Sequence, residues 1–186
     1  MHKQILVTLL IAIVIGAAIL LLWPSKSEAP GQPAVSAPTA YKSGTYIIDG
    51  QPVTLVNGTA STVSAPGSAS QTVTQYFGNV ATGDLNGDGV PDAAFLLTQT
   101  SGGSGTFYYV VAALKTATGY QGTNAILLGD RIAPQTTEIK NGQIVVNYAD
   151  RAAGEPMTAQ PSVGVTKYIS FMDGSLMEMT PTTIVN

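Results

Sequence analysis

Four Asx-Gly dipeptides separate short runs of alternating apolar and polar residues, and this pattern constrains the fold more than any other feature of the chain. An Asn or Asp followed by Gly tolerates the positive φ angles that a two-residue turn between antiparallel strands requires. The alternating runs on either side are typical of half-buried strands. The four dipeptides are Asp49-Gly50, Asn57-Gly58, Asn141-Gly142 and Asp173-Gly174.

The domain is therefore predicted to be all-β, mainly antiparallel and rich in hairpins. Further strands are predicted at residues 71–77, 93–98 and 106–114, and the second of these is almost entirely apolar, as in a buried strand. No long segment after residue 40 has a 3.6-residue period, although residues 123–128 are compatible with one helical turn. A sandwich, an open barrel and a mixed α+β fold all stay open at this level.

One transmembrane helix is predicted before this domain. Residues 5–23 form a run of 19 residues without a charged side chain. A helix of that length spans about 28 Å, close to the hydrocarbon thickness of a bilayer. A cleaved signal peptide is the alternative, but its apolar core is usually shorter. The nearest small-residue cleavage site, at residues 27–29, is followed by Pro30, so an uncleaved anchor is favoured.

The chain thus divides into a cytoplasmic tip at 1–4, the anchor at 5–23, a linker at 24–40 and a domain at 41–186. The linker is rich in Pro, Ser and Ala and is expected to be an extended spacer. Lys3 precedes the anchor, and the positive-inside bias places the domain outside the cytoplasm, on a single-pass protein of the cell membrane. The membrane is accordingly the one predicted partner.

The composition excludes several classes of chemistry. The sequence has no Cys, and its only His is His2, before the anchor, so the domain has neither a Cys-His nor a Ser-His-Asp set. Zinc and redox-metal sites are disfavoured for the same reason. A net charge of −3 gives no electrostatic footprint for nucleic acid.

Residues 84–92 have the spacing of a calcium loop. A chain folded around a hard cation offers side-chain oxygens at loop positions one, three and five, a glycine at position six and a backbone carbonyl at position seven. Position nine here adds a further carboxylate. The predicted calcium ligands are Asp84, Asn86, Asp88, the carbonyl of Val90 and Asp92, with Gly89 at the turn.

Two alternatives to a bound ion stay open for this loop. Asx-Gly clusters also form ordinary turns without an ion. Charge favours the ion, because three crowded carboxylates repel one another unless a positive charge intervenes. No Lys, Arg or His lies between Lys42 and Lys115. A distant cation would also serve if it folded over the loop, and the candidates are Lys115, Arg131 and Arg151.

Around the loop the sequence is similar to a known repeat. Tyr76-Phe77-Gly78 leads into residues 84–92, and an apolar strand follows. This stretch resembles one FG-GAP repeat, the blade motif of integrin α-subunit propellers, and the resemblance implies a hairpin whose loop binds calcium. Only one copy occurs, whereas a propeller needs several blades. An EF-hand is not implied either, because Phe95 stands where the bidentate Glu is required. The whole chain resembles small membrane-anchored bacterial proteins.

A non-catalytic extracytoplasmic domain with a structural calcium ion is therefore predicted, serving in binding or in envelope structure. No protein or glycan ligand is identifiable from the sequence. The alternative is a hydrolase or an enzyme inhibitor of the cell envelope that works through carboxylates. The carboxylates available for that alternative are Asp130, Glu138, Asp150 and Glu155.

Overall fold

The computed structural model describes residues 37–63, 67 and 70–180, which form twelve β-strands and one 3₁₀ helix, Ala37–Ser43, and no α-helix. The strands are β1 (Thr45–Ile48), β2 (Gln51–Thr54), β3 (Thr59–Val63), β4 (Gln71–Gly83), β5 (Asp92–Thr100), β6 (Phe107–Thr116), β7 (Gly119–Gly122), β8 (Ile126–Asp130), β9 (Ala133–Lys140), β10 (Gln143–Asp150), β11 (Val163–Met172) and β12 (Ser175–Met179). Every pair of these strands is antiparallel. The all-β prediction is confirmed.

The predicted membrane anchor at residues 5–23 lies outside the described residues. Within the described part of the chain, no helix has the length and apolar character that crossing a membrane requires. The 3₁₀ helix begins inside the predicted linker segment, and its Tyr41 is buried in the core.

The Asx-Gly dipeptides stand at tight turns, as predicted. Three of them join the hairpins β1–β2, β9–β10 and β11–β12. The fourth, Asn57-Gly58, lies between Val56 and Thr59, which form an isolated antiparallel bridge before β3. In the first turn φ is 50° at Asp49 and 77° at Gly50, the combination that Asx-Gly tolerates best.

Residues 123–128 form no helical turn, so that expectation is wrong. Strand β8 begins at Ile126 and pairs with the first half of β6, while β7 pairs with its second half. The Thr123 hydroxyl donates to the Ala112 carbonyl at 3.1 Å and accepts from the Ala112 amide at 3.0 Å. Hydrogen bonds to a strand that is distant in sequence override the local helical pattern here.

The twelve strands belong to three sheets. The central sheet has the order β3-β4-β5-β6, and β7 and β8 both pair with β6. A four-stranded sheet has the order β12-β11-β10-β9, and β1 and β2 form a separate two-stranded sheet. The central sheet lies between the other two, because separate hydrophobic clusters cover its two faces.

Strands β5 and β6 form the centre of the molecule, and six consecutive residues of each are buried. Their side chains alternate between the two clusters, since successive residues of a strand point to opposite faces. Leu96 lies in the cluster shared with the four-stranded sheet, while Leu97 lies in the cluster under β1 and β2. Burial on both faces explains why residues 93–97 are apolar without alternation.

A close contact joins the central and four-stranded sheets just before the loop at 84–92. Gly83, the last residue of β4, faces Ile139 of β9, and a Cβ atom at position 83 would lie 2.7 Å from Ile139 Cγ2. Nearby, the Asn79 side-chain amide donates to the Gln135 carbonyl at 3.3 Å. Only a glycine lets the two strands approach this closely, and the loop therefore starts from a well-supported position.

Candidate metal site

The candidate calcium loop connects β4 to β5, which are neighbouring antiparallel strands. Gly83 and Asp92 are cross-strand partners at the end of this ladder, so the chain leaves and re-enters the sheet at one point. In between, φ is 79° at Gly87 and 81° at Gly89. Both values lie in the left-handed region, where glycine has no steric penalty, and they allow the chain to reverse twice within a few residues.

Three side chains hold the loop in shape through bonds to its own backbone. Asp84 accepts from the Gly87 amide at 2.7 Å and from the Gly89 amide at 2.9 Å, one on each carboxylate oxygen. Asn86 Oδ1 accepts from the Asp88 amide at 3.0 Å. Further round the loop, Asp88 accepts from the Val90 amide at 2.7 Å and from the Asn86 side-chain amide at 2.9 Å. Loop positions one, three and five therefore all engage the loop itself.

The hydrogen bonds of the loop favour the ionised form of Asp84. The backbone amides of Gly89 and Gly87 donate to Asp84 and lower the pKa of its carboxyl group below the ordinary value of 3.8, against the opposing effect of desolvation. Hydrogen bonds to the charged form of an acid stabilise that form. Asp88 is exposed, and it follows Asp84 closely in a segment without a basic residue.

Asp92 has a role that the spacing did not indicate. Its side chain is 1% exposed, and one carboxylate oxygen accepts from the Leu85 amide at 3.0 Å. The other oxygen accepts from the Lys115 amide in β6 at 2.7 Å. Asp92 thus ties the start of the loop to the central sheet, and Leu85 beside it enters the core. Its place among the calcium ligands stays a prediction, as does that of the Val90 carbonyl.

The three cations that were candidates for neutralising the loop are engaged elsewhere. Lys115 Nζ lies 4.5 Å from the centroid of the Tyr120 ring. Arg131 forms an ion pair with Asp130 at 3.1 Å, and Arg151 donates to the carbonyls of Ala159 and Arg131. Among the described residues, no ion pair involves a carboxylate of the loop. Neutralisation of the loop carboxylates by one of these side chains is therefore not supported. The two interpretations left for the loop are a bound ion and an ordinary turn.

The donor set suits a hard cation in its chemistry. Every candidate ligand is an oxygen, and a carboxylate has about four lone-pair sites, of which the Asp84 and Asp88 bonds use two each. Within 37–63, 67 and 70–180, however, no three or more His, Cys, Asp or Glu side chains are grouped closely enough to hold a metal. A cation here would therefore rely on the Asn86 side-chain oxygen and the Val90 carbonyl as well as on carboxylates.

Phe77 and Gly78, the pair that carries the FG-GAP resemblance, lie at an irregularity of β4. The register with β5 shifts on both sides of Gly78, whose φ is 124°. The Phe77 ring is 45% exposed and packs edge-on against Tyr108, with centroids 5.2 Å apart. The pair therefore stands at an irregular point of β4, with Phe77 packed against Tyr108 of β6, and no described hydrogen bond joins the pair to the loop residues.

The carboxylates considered for hydrolysis serve local structure. Asp130 accepts from the Thr106 amide at 2.8 Å besides pairing with Arg131. Glu138 pairs with Lys140 at 2.6 Å, Asp150 accepts from the Arg151 amide, and Glu155 accepts from the Ala152 amide. A groove of about 450 Å³ between β2 and β3 has one carboxylate, Asp49. A second groove of about 570 Å³ beside β7 is lined by neutral residues.

The fold and the loop define a three-layered antiparallel β domain with an acidic loop between two central strands. Comparison with protein families, with curated proteins and with solved structures gives no match for the chain. The FG-GAP resemblance of the β4–β5 hairpin therefore stays a prediction.

Proposed function

We propose that the domain is non-catalytic and is displayed outside the cytoplasmic membrane, where a calcium ion in the loop at 84–92 supports a binding or envelope-structural role. Asp84, Asn86 and Asp88 would hold the ion, with the Val90 carbonyl. Calcium would neutralise the carboxylates and keep the loop in one arrangement. Asp92 would add a further carboxylate ligand, while its bonds to the backbone of Leu85 and Lys115 hold the loop to the central sheet.

The observation that carries this proposal is the lack of a protein cation at the loop among the described residues. Asp84 and Asp88 occupy one short segment, the hydrogen bonds of Gly89 and Gly87 keep Asp84 ionised, and Lys115, Arg131 and Arg151 bind elsewhere. Carboxylates held together in this way favour a bound cation, since neutralisation removes their mutual repulsion. The carboxylate-based hydrolase or inhibitor is the weaker alternative, because it needs two converging carboxylates and each described groove offers one at most.

The test of calcium binding is the melting temperature of the whole chain in detergent, measured against free calcium. Extracellular sites of this kind bind on the order of 10⁻⁴ to 10⁻³ M. A hundredfold excess over the dissociation constant adds about 2.7 kcal/mol when only the folded form binds. Asp88→Asn should abolish the calcium dependence while keeping an acceptor for the Val90 amide. Magnesium should substitute poorly, because it requires near-ideal octahedral geometry.

Glu138→Gln is the matched control, because it removes an exposed carboxylate whose partner is Lys140 and leaves the loop untouched. It should keep the full calcium response. A wild-type melting temperature that stays flat between chelator and ~10 mM calcium, about tenfold above the weakest expected dissociation constant, would leave the ordinary turn as the explanation. An equal response in Asp88→Asn and wild type would place the ion elsewhere.

Display outside the membrane is tested separately. Protease added to intact spheroplasts should release a fragment that begins within residues 24–40, because an extended Pro-rich linker is exposed to cleavage. Protection in intact cells followed by cleavage after lysis would contradict the predicted orientation.

A further inference from the structure

The outer face of the four-stranded sheet carries a cluster of methionines. The register of β11 with β12 pairs Met172 with Ser175, Ser170 with Met177 and Tyr168 with Met179. Side chains of every second residue share a face, so the three methionines lie on one side of this hairpin. The opposite side faces the core, where Ile169, Phe171 and Leu176 pack.

These methionine side chains are open to solvent. Met172 is 47% exposed, Met177 48% and Met179 37%. An exposed thioether gains little from the hydrophobic effect, but it stays available as a ligand. Three of the five methionines in the chain stand within eight residues of one another, and only Met157 is exposed at another described position.

Met177 is the central member of the cluster. Met179 lies two residues further along the same strand, about 6.7 Å away between Cα atoms. Met172 is a diagonal neighbour across the hairpin, at roughly 7–8 Å, which long flexible side chains can bridge. Met172 and Met179 stand two such steps apart, beyond the reach of a single ion. Two thioethers can therefore meet at a time, and Met177 belongs to both pairs.

The chemistry of the ligands selects the metal. Thioether sulfur is a soft, neutral donor, and among biological metals it favours Cu(I) over hard cations such as calcium or magnesium. The described residues include neither Cys nor His, so no thiolate or imidazole there competes for a soft ion. Glu178 lies between Met177 and Met179 in sequence but points to the other face, where it pairs with Lys167 at 2.7 Å.

We propose that the outer face of the β11–β12 hairpin is a Cu(I) site in which Met177 and one of its two neighbours, Met172 or Met179, bind the ion. The site is separate from the loop at 84–92, since calcium and Cu(I) require opposite ligand types. Methionine does not titrate, so binding should be independent of pH between about 5 and 8, unlike that of a His or Cys site.

The test is a titration of the whole chain in detergent, with ¹³C-labelled methionine methyl groups, using Cu(I) kept reduced by ascorbate. The methyl resonances of Met172, Met177 and Met179 should shift and saturate at one ion per chain. Met157 should not respond. Met177→Leu preserves side-chain volume and should weaken binding at least about tenfold, since loss of even an outer-shell partner of a ligand costs about 10–100-fold in metal affinity. It should also suppress the shifts of both neighbours.

Met157→Leu is the matched control and should bind as the wild type does. An absence of shifts would overturn the proposal and favour an apolar docking surface for this face. Equal shifts at Met157 would indicate non-specific binding, and an unchanged titration of Met177→Leu would exclude the central role of that residue. Because position 177 is exposed, an unaltered circular-dichroism spectrum is expected and shows that the variant has folded.

Discussion

The two faces of the central sheet are covered in different ways. One face packs against a four-stranded sheet, and its cluster is mostly aliphatic, with Ile144, Val146 and Ile169 from the cover. The other face has only the two-stranded β1–β2 sheet and the 3₁₀ helix, and its cover contributes Tyr41 and Tyr46. A small cover can bury a large face if its side chains are large, because each aromatic ring buries about 150–250 Å².

The rings of this second cluster form a connected group around Phe95. The Tyr46 ring meets Phe95 edge-on at 5.5 Å between centroids, and Tyr41 lies 5.0 Å from Phe95. The Tyr76 and Phe95 ring centroids are 5.4 Å apart, and Lys42 Nζ lies 4.1 Å from the centroid of the Tyr76 ring. Tilted and edge-on ring pairs add specific attraction to the area that they bury. The aromatic cover therefore depends on a few rings, whereas the aliphatic cover depends on strand pairing.

Neighbouring leucines in β5 give the largest expected effect. Leu96→Ala empties space under the four-stranded sheet, and Leu97→Ala empties equal space under the aromatic cover. The cost of such a cavity lies between about 2 and 5 kcal/mol and depends on how far the surroundings collapse. We expect Leu96→Ala near the top of that range and Leu97→Ala near the bottom, because a two-stranded cover can shift more easily.

Denaturant unfolding of both variants measures this difference directly. The two residues have the same exposure of 0% and belong to the same strand, so local propensity cancels. An equal or larger cost for Leu97→Ala would show that the aromatic cover is no softer than the sheet.

Buried tyrosine hydroxyls provide the second test, with an intermediate effect. Tyr46 donates to the Tyr41 carbonyl in the aromatic cluster, and Tyr148 donates to the Leu128 carbonyl at 3.0 Å in the aliphatic one. Tyr46→Phe and Tyr148→Phe each leave a buried carbonyl unsatisfied, at about 1–3 kcal/mol. Each variant loses one hydroxyl–carbonyl hydrogen bond, so we expect the two free energies of unfolding to fall by similar amounts. Denaturant unfolding measures both. A large difference between the two costs would show that the two faces differ in hydrogen bonding and not only in packing.

Alkaline pH should give the smallest loss of stability. The tyrosines concerned lie on both faces of the central sheet. Burial raises the pKa of Tyr148 to about 12 from an ordinary value of 10.0, and burial also raises the pKa of Tyr46. A raised pKa in the folded state stabilises the fold below pH 10, and this contribution is lost as the pH rises toward 12. Melting temperature should therefore fall above pH 10, and less steeply in the double variant of Tyr46→Phe and Tyr148→Phe. Identical slopes would exclude these two groups as the cause.

The local parts of this fold were predictable. The Asx-Gly turns and the apolar strand at 93–97 appear where the sequence placed them, because turn dihedrals and strand alternation depend on adjacent residues. The order of the strands was not predictable. That β6 pairs with β5 on one side and with both β7 and β8 on the other follows from contacts between distant residues. Residues 123–128 show the same limit of local prediction. Their sequence is compatible with a helical turn, but Thr123 bonds to Ala112 of β6 and the segment is not helical.

The candidate calcium site likewise has features that follow from local sequence and others that follow from long-range contacts. The acidic loop, its two glycines and the absence of a basic residue nearby in sequence could be read from the amino acids alone, because these are properties of one short segment. The inward position of Asp92 could not be read in this way, since it depends on the Lys115 amide, 23 positions further along the chain. The packing of the β11–β12 hairpin on the core also turned Met172, Met177 and Met179 toward solvent, whereas the hairpin register itself is set by the two-residue turn.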